Sequence, residues 1–279
     1  MTPTRNALRT GLERARIEFR HQATSAQEVW GVLFFPVIAL LVMFILRDTT
    51  VPGTTFSLGT QSLPGILAMN VMLTGFTGLA MTLTTDRADN TLLRAKATPH
   101  GMLGYLTGRI LSRAGMTALG ALLPLLPAPF LFPGLTLTTP TTWLALLAYL
   151  ALALLAVLPL GVITGSLITN PQSLSLVTLP MMLLLAISGI FYPITALPDW
   201  LQALAQLFPL YWLGLALRSA LLPESLATAE LAESWRPLET ILALGAWASL
   251  GLLLAPFVLR RMARRDSGTP PRRRPTIPA

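Results

Sequence analysis

The sequence predicts an all-α membrane protein with six transmembrane helices, an N-terminal interfacial helix, and a re-entrant helical hairpin between helices five and six. Three observations carry this. Of the 279 residues, 53% are hydrophobic and 11% charged, against about 25% charged in soluble domains. Six apolar runs, at 29–46, 63–83, 106–132, 143–168, 173–192 and 238–259, match the roughly 20 residues that cross about 30 Å of hydrocarbon. Lys and Arg collect in alternate segments between the runs, the asymmetry that orients helices in a bilayer.

The elements follow in chain order. In the N-terminal region, 1–28, Leu8, Leu12, Ala15 and Phe19 share one helical stripe with Arg5, Arg9, Arg16 and Arg20 beside it. That pattern predicts a helix in the cytoplasmic interface, its arginines reaching anionic headgroups. The first apolar run is too long for the core of a cleaved signal peptide, so it is expected to remain as helix one. Residues 29–259 then form the six-helix transmembrane domain. Its runs lack barrel alternation, and lipid offers backbone groups no partners, which leaves helices. Residues 260–279 end in "DSGTPPRRRPTIPA", a basic, Pro-rich tail predicted to be disordered and cytoplasmic.

Orientation comes from 17 of the 20 basic residues. Five lie in 1–28, five around the loop after the second run (Arg87, Arg94, Lys96, Arg109, Arg113), and seven in the tail, while Arg47, Arg218 and Arg236 face the other side. Both termini are thus expected in the cytoplasm. Nineteen arginines against one lysine, with abundant Ala, Leu and Pro, suit a GC-rich bacterial genome and an inner-membrane location.

Several chemistries lack their groups. There is no Cys, and His21 and His100 sit far apart in polar flanks, so no metal site is expected. No run carries an ionisable residue near its middle, which speaks against ion-coupled transport and intramembrane proteolysis. A phosphate-binding loop needs a Gly-rich turn ending in Lys, yet the single Lys96 lies in "LLRAKATPH". This chain is therefore expected to bind no cofactor and not to be an enzyme. Asn70, Thr74 and Thr77 share one face of the second run, as pathway lining or for interhelical hydrogen bonding, the commoner use. Gly161 and Gly165 permit close helix approach, and Pro124, Pro127, Pro129 and Pro133 predict a kink or early stop of the third helix.

The stretch "SGIFYPITALPDWLQALAQLFPLYW", 188–212, interrupts the apolar pattern. Pro193 and Pro198 oppose helix continuation, a short helix starts at Asp199 and stops at Pro209, and a second piece follows. Tyr192, Trp200, Tyr211 and Trp212 suit an aromatic belt at the outer surface. Two short helices there make a shallow re-entrant hairpin or an amphipathic surface loop.

With Gly189, Phe191, Pro193, Pro198, Trp200 and Pro209 in this order, and Arg218 beyond, the stretch resembles the C-terminal signature of the ABC-2 transporter permease family. The loop "DRADNTLLRAKATPH" is similar to a second family pattern at Asp86, Arg87, Thr91, Leu92 and Pro99, with Asn90 in place of the usual Gly and Ala95 at a common Leu position.

The resemblance implies a dimer of permease subunits, homodimeric or heterodimeric, each joined on its cytoplasmic side by a separate nucleotide-binding subunit that holds ATP and Mg. It further implies that Asp86, Arg87, Leu92, Leu93, Arg94, Lys96 and Pro99 couple to that ATPase. Gly189, Phe191, Tyr192, Pro193, Pro198, Trp200 and Pro209 would then form the re-entrant outer gate. The expected function is export of an amphipathic drug-like, antibiotic-like or lipid-like molecule. Export of glycan or teichoic acid stands as the alternative within the family. A passive channel or membrane scaffold without an ATPase stands outside it.

Overall fold

The computed structural model describes residues 3–45, 47, 49, 58–89, 91–96, 101–132, 134–137, 139–168, 170–190 and 193–266. Among these no strand occurs. The helices are α1 (Pro3–Thr24), α2 (Ala26–Ile45), α3 (Leu58–Asn70), a π-helical segment (Val71–Thr77), α4 (Gly78–Ala88), α5 (Thr91–Lys96), α6 (Gly101–Leu122) and α7 (Ala128–Leu131). They continue with α8 (Pro140–Leu167), α9 (Ser175–Ile187), α10 (Asp199–Leu207), α11 (Pro209–Leu221) and α12 (Pro237–Asp266).

Five stretches are long and apolar enough to cross a bilayer: Ala26–Ile45, Thr60–Ala88, Gly101–Leu131, Pro140–Leu167 and Pro237–Leu259. The fifth apolar run differs from expectation. A 3-10 turn at Pro171–Leu174 precedes α9, which has only 13 residues, about 20 Å of α-helix. It stops before Gly189, whose φ of 68° breaks the helical path. The third helix ends early, as its prolines predict: α6 gives way to a 3-10 turn at Leu123–Leu125 and then the short α7. Pro133 lies outside the described residues.

α8 is the central post. Leu146, Leu150 and Ala153 join the core built with α3, α6 and α11. Ala156 joins that of α11 and α12, and Leu158 and Val162 that of α4, α5 and α6. Its two glycines find their partner within the chain: a Cβ on Gly161 would lie 2.7 Å from the Phe76 carbonyl oxygen, and one on Gly165 2.7 Å from that of Ala80. The second span is thereby seated against the fourth, and the Thr84 hydroxyl donates to the Gly165 carbonyl at 3.4 Å.

A second close contact joins α1 to α6. Gly11 faces Gly104 so tightly that a Cβ on it would stand 2.9 Å from the Gly104 oxygen, while Arg14 lies over Gly108 and Phe19 over Gly115. The face of α1 turned to the protein is thus Gly11, Arg14, Ala15 and Glu18, whereas Leu8 and Leu12 point outward, 50% and 61% exposed. Three of the four residues in the apolar stripe keep an open edge, and Ala15 alone is buried. Elsewhere the outward residues of the long helices, such as Leu144, Leu253 and Phe257, form the apolar exterior that lipid requires.

Gly165→Leu should lower stability by about 1–3 kcal/mol through overpacking against Ala80. Gly245→Ala, which meets open space, should leave stability unchanged or raise it by up to about 1 kcal/mol. Thermal unfolding of the two variants in detergent micelles compares them directly.

Candidate functional site

The loop between α4 and α6 is held by a part-buried ionic network. Arg109 reaches Asp86 through Nε at 2.8 Å and through Nη2 at 2.9 Å. The Tyr105 hydroxyl donates to the same carboxylate. Arg109 also meets Glu18 at 3.3 Å, and Glu18 pairs with Arg14 at 2.7 Å. The Arg14 guanidinium lies 4.9 Å from the Tyr105 ring centre. One network therefore ties the end of α4, the start of α6 and the interfacial candidate α1. Arg113, one turn further along α6, donates to the Thr82 hydroxyl at 2.8 Å. These two arginines were counted as loop charges from sequence; they stand inside α6, where carboxylate and hydroxyl partners make burial tolerable.

The network redistributes the expected coupling residues. Asp86 is buried, 8% exposed, and its carboxylate is directed at α6. Arg87 turns to the end of α8, donating to the Ser166 and Ile168 carbonyls at 3.3 and 3.4 Å; cations at a helix C-terminus satisfy its last carbonyls. Leu92 is 2% exposed and packs with Leu79, Leu83, Tyr105 and Met262, so it seats α5 on its own chain and is not open to a partner's groove. Arg94 is exposed, donating to the Asp89 carbonyl at 3.3 Å. Leu93 and Lys96 lie on α5, and Pro99 falls outside the described residues.

At the opposite end, α10 and α11 meet at 89°. Pro209 opens α11 as well as closing the path of α10, and every residue of α11 except Ser219 is buried. Arg218 would be untenable there alone. Its Nε lies 2.6 Å from Glu230, and its Nη1 donates to the Gly189 carbonyl at 3.2 Å. One side chain thus joins α11, the polar segment before α12 and the turn after α9. A Cβ on Gly65 of α3 would collide with the Ile190 oxygen at 2.3 Å, so the same turn is seated on the second span.

The junction of α10 and α11 is fastened by indoles. Trp212 donates to the Gln206 carbonyl at 2.7 Å and Trp247 to that of Leu207 at 3.1 Å, satisfying the end of α10. Arg236 donates to the Gln206 side chain at 2.8 Å and stacks 4.9 Å over Trp212. Tyr211 and Trp212 are accordingly buried, at 0% and 6% exposure, and of the described members of the expected belt Trp200, at 67%, has the open position. Pro193 leads into the 3-10 turn at Ile194–Ala196, and Pro198 precedes α10. Phe191 and Tyr192 lie outside the described residues.

The polar stripe of the second span is used within the chain. The Asn70 amide donates to the Val32 carbonyl on α2 at 3.2 Å, and the Thr74 hydroxyl to the Asn70 carbonyl at 2.7 Å. Thr77 is half-buried. None of the three lines the apolar cavity of about 250 Å³ that touches the π-helical segment; Met72, Phe76, Leu160, Met181, Leu184 and Trp247 do, with Thr164 the one hydroxyl. The π-helix, the glycine seam of α1 on α6, and the partners of Arg109 and Arg218 were not foreseen from sequence. The seam had a signal in the spacing of Gly104 and Gly108, but a long-range ionic partner has none in a single sequence.

A family profile described as "ABC-2 family transporter protein" matches residues 46–259. No characterised protein matches the chain significantly.

Asp86→Asn should cost about 2–4 kcal/mol, since breaking a buried pair strands a charge. The double variant with Arg109→Gln should lose less than the sum, by about 1 kcal/mol or more, read by denaturant or thermal unfolding. Arg218→Lys should fail to keep the contacts to Glu230 and Gly189, because an ammonium lacks the guanidinium fork, and should unfold at least about 5 °C below the parent.

Proposed function

The chain belongs to the ABC-2 transporter family, and on that premise we propose that it is the permease subunit of an ATP-driven exporter whose ATPase is a separate polypeptide. The observation that carries this is the match over residues 46–259, in a multi-pass helical chain whose loop between α4 and α6 presents a short basic helix.

In this reading α9, extended by the 3-10 turn before it, makes the fifth crossing, and α10 and α11 enter and leave the membrane on the outer side. Both termini lie in the cytoplasm of a bacterial cell, with α1 in the interface, 29–259 as the transmembrane domain and 260–279 as a tail. Two permeases pair. ATP and Mg sit on the partner subunits, which dock at α5, with exposed Arg94 meeting an acidic rim. Asp86 and Arg87 act as positioning residues: they hold the end of α4, which leads into α5, to α6 and α8, so a push on α5 moves spans as rigid bodies. The largely apolar lining of the cavity beside the π-helix supports an amphipathic or lipid-like cargo.

Vesicles containing the permease and its cognate ATPase should expel a fluorescent amphipathic dye only with ATP. Arg94→Glu should cut ATPase retention and transport about tenfold while leaving the melting temperature within about 2 °C, since the side chain is exposed. Uphill transport by the permease alone would falsify the assignment.

A further inference from the structure

Between α1 and α6 runs a groove of about 510 Å³, lined by Leu12, Ala15, Phe19, Leu111, Gly115 and the stems of Glu13 and Arg16. We infer that this groove is a binding site for one anionic phospholipid of the cytoplasmic leaflet, with an acyl chain along Leu12, Phe19 and Leu111 and the phosphate at Arg16 and Arg20. This rests on the proposal that α1 lies in the membrane interface, and adds to it a defined lipid position.

The floor exists because of one residue. Gly115 lets Phe19 lie directly on α6: an added Cβ would sit 2.8 Å from the ring, so the ring closes the bottom of the groove where a larger residue would push it outward. The walls stay open, Leu12 at 61% and Leu111 at 42% exposure, although both border a helix seam that elsewhere excludes solvent. An apolar trough at bilayer depth is filled by hydrocarbon, since burial from water favours it.

Charge selects the headgroup. Glu13 pairs with Arg9 at 3.2 Å, and Arg14 and Arg109 are engaged with Glu18. Arg16 and Arg20, one turn apart and both exposed, have no carboxylate partner among the described residues. Two guanidinium groups beside an apolar trough match a phosphate above an acyl chain, and Arg favours phosphate through paired N–H donors. A zwitterionic lipid carries its own cation at that point and gains less.

The test uses full-length protein in vesicles of phosphatidylglycerol mixed with phosphatidylcholine, with a photoreactive benzophenone amino acid in place of Leu12 and adducts read by mass. The expected result is several-fold enrichment of phosphatidylglycerol adducts over the bulk ratio. The enrichment should be lost in R16Q/R20Q and kept in R261Q, which removes a cytoplasmic-side charge away from the groove. Adducts at the bulk ratio, or equal loss in R261Q, overturn the inference while leaving α1 in the interface. No lipid adduct of either kind overturns the interfacial placement itself.

Discussion

Hydrocarbon gives a guanidinium nothing to bind, and two arginines at opposite ends of this molecule, Arg109 half-buried and Arg218 buried, hold their places chiefly through carboxylates from other elements. Arg109 depends on Asp86 and Glu18, and Arg218 on Glu230. Such pairs contribute little net stability, because desolvation offsets the attraction. Their effect is geometric: each tolerates one arrangement of three segments. The Arg109 pair sets α1, α4 and α6 relative to one another, and the Arg218 pair sets α11, the turn at Gly189 and the segment before α12.

Between these two clamps the packing differs in kind. The C-terminal half of the second span is pressed against α8 at Gly161 and Gly165, where backbone meets backbone. The N-terminal half, α3, packs beside α11, which is buried along nearly its whole length. The π-helical segment Val71–Thr77 lies at the junction, with an extra residue per turn that shifts the faces presented above and below it; such segments gather at functional sites. It is also where the apolar cavity touches the second span. A displacement at the loop would thus be carried by α4 and meet the irregular segment before reaching α3 and α11.

The loop itself shows how burial sorts roles that sequence groups together. Asp86, Arg87, Leu92 and Arg94 lie within nine positions, yet the first three are spent on α6, α8 and the inner core, and Arg94 faces out. A short helix seated this firmly transmits force better than a mobile loop, because little of a push is absorbed by local rearrangement. The charge of a motif and its availability to a partner are separate properties.

The sequence by itself determined what depends on the solvent: an all-helical membrane chain, the positions of most apolar stretches, the breaks at Pro193, Pro198 and Pro209, and the family signature around them. These are local signals, since apolar length and missing backbone donors act within a few residues. Only the tertiary structure decided which face of α1 meets α6, that Tyr211 and Trp212 are core residues, that Gly161 and Gly165 receive the second span, and which carboxylate accompanies each buried arginine. Those outcomes depend on groups 12 to 91 residues apart along the chain, and no periodicity within one helix encodes a partner on another.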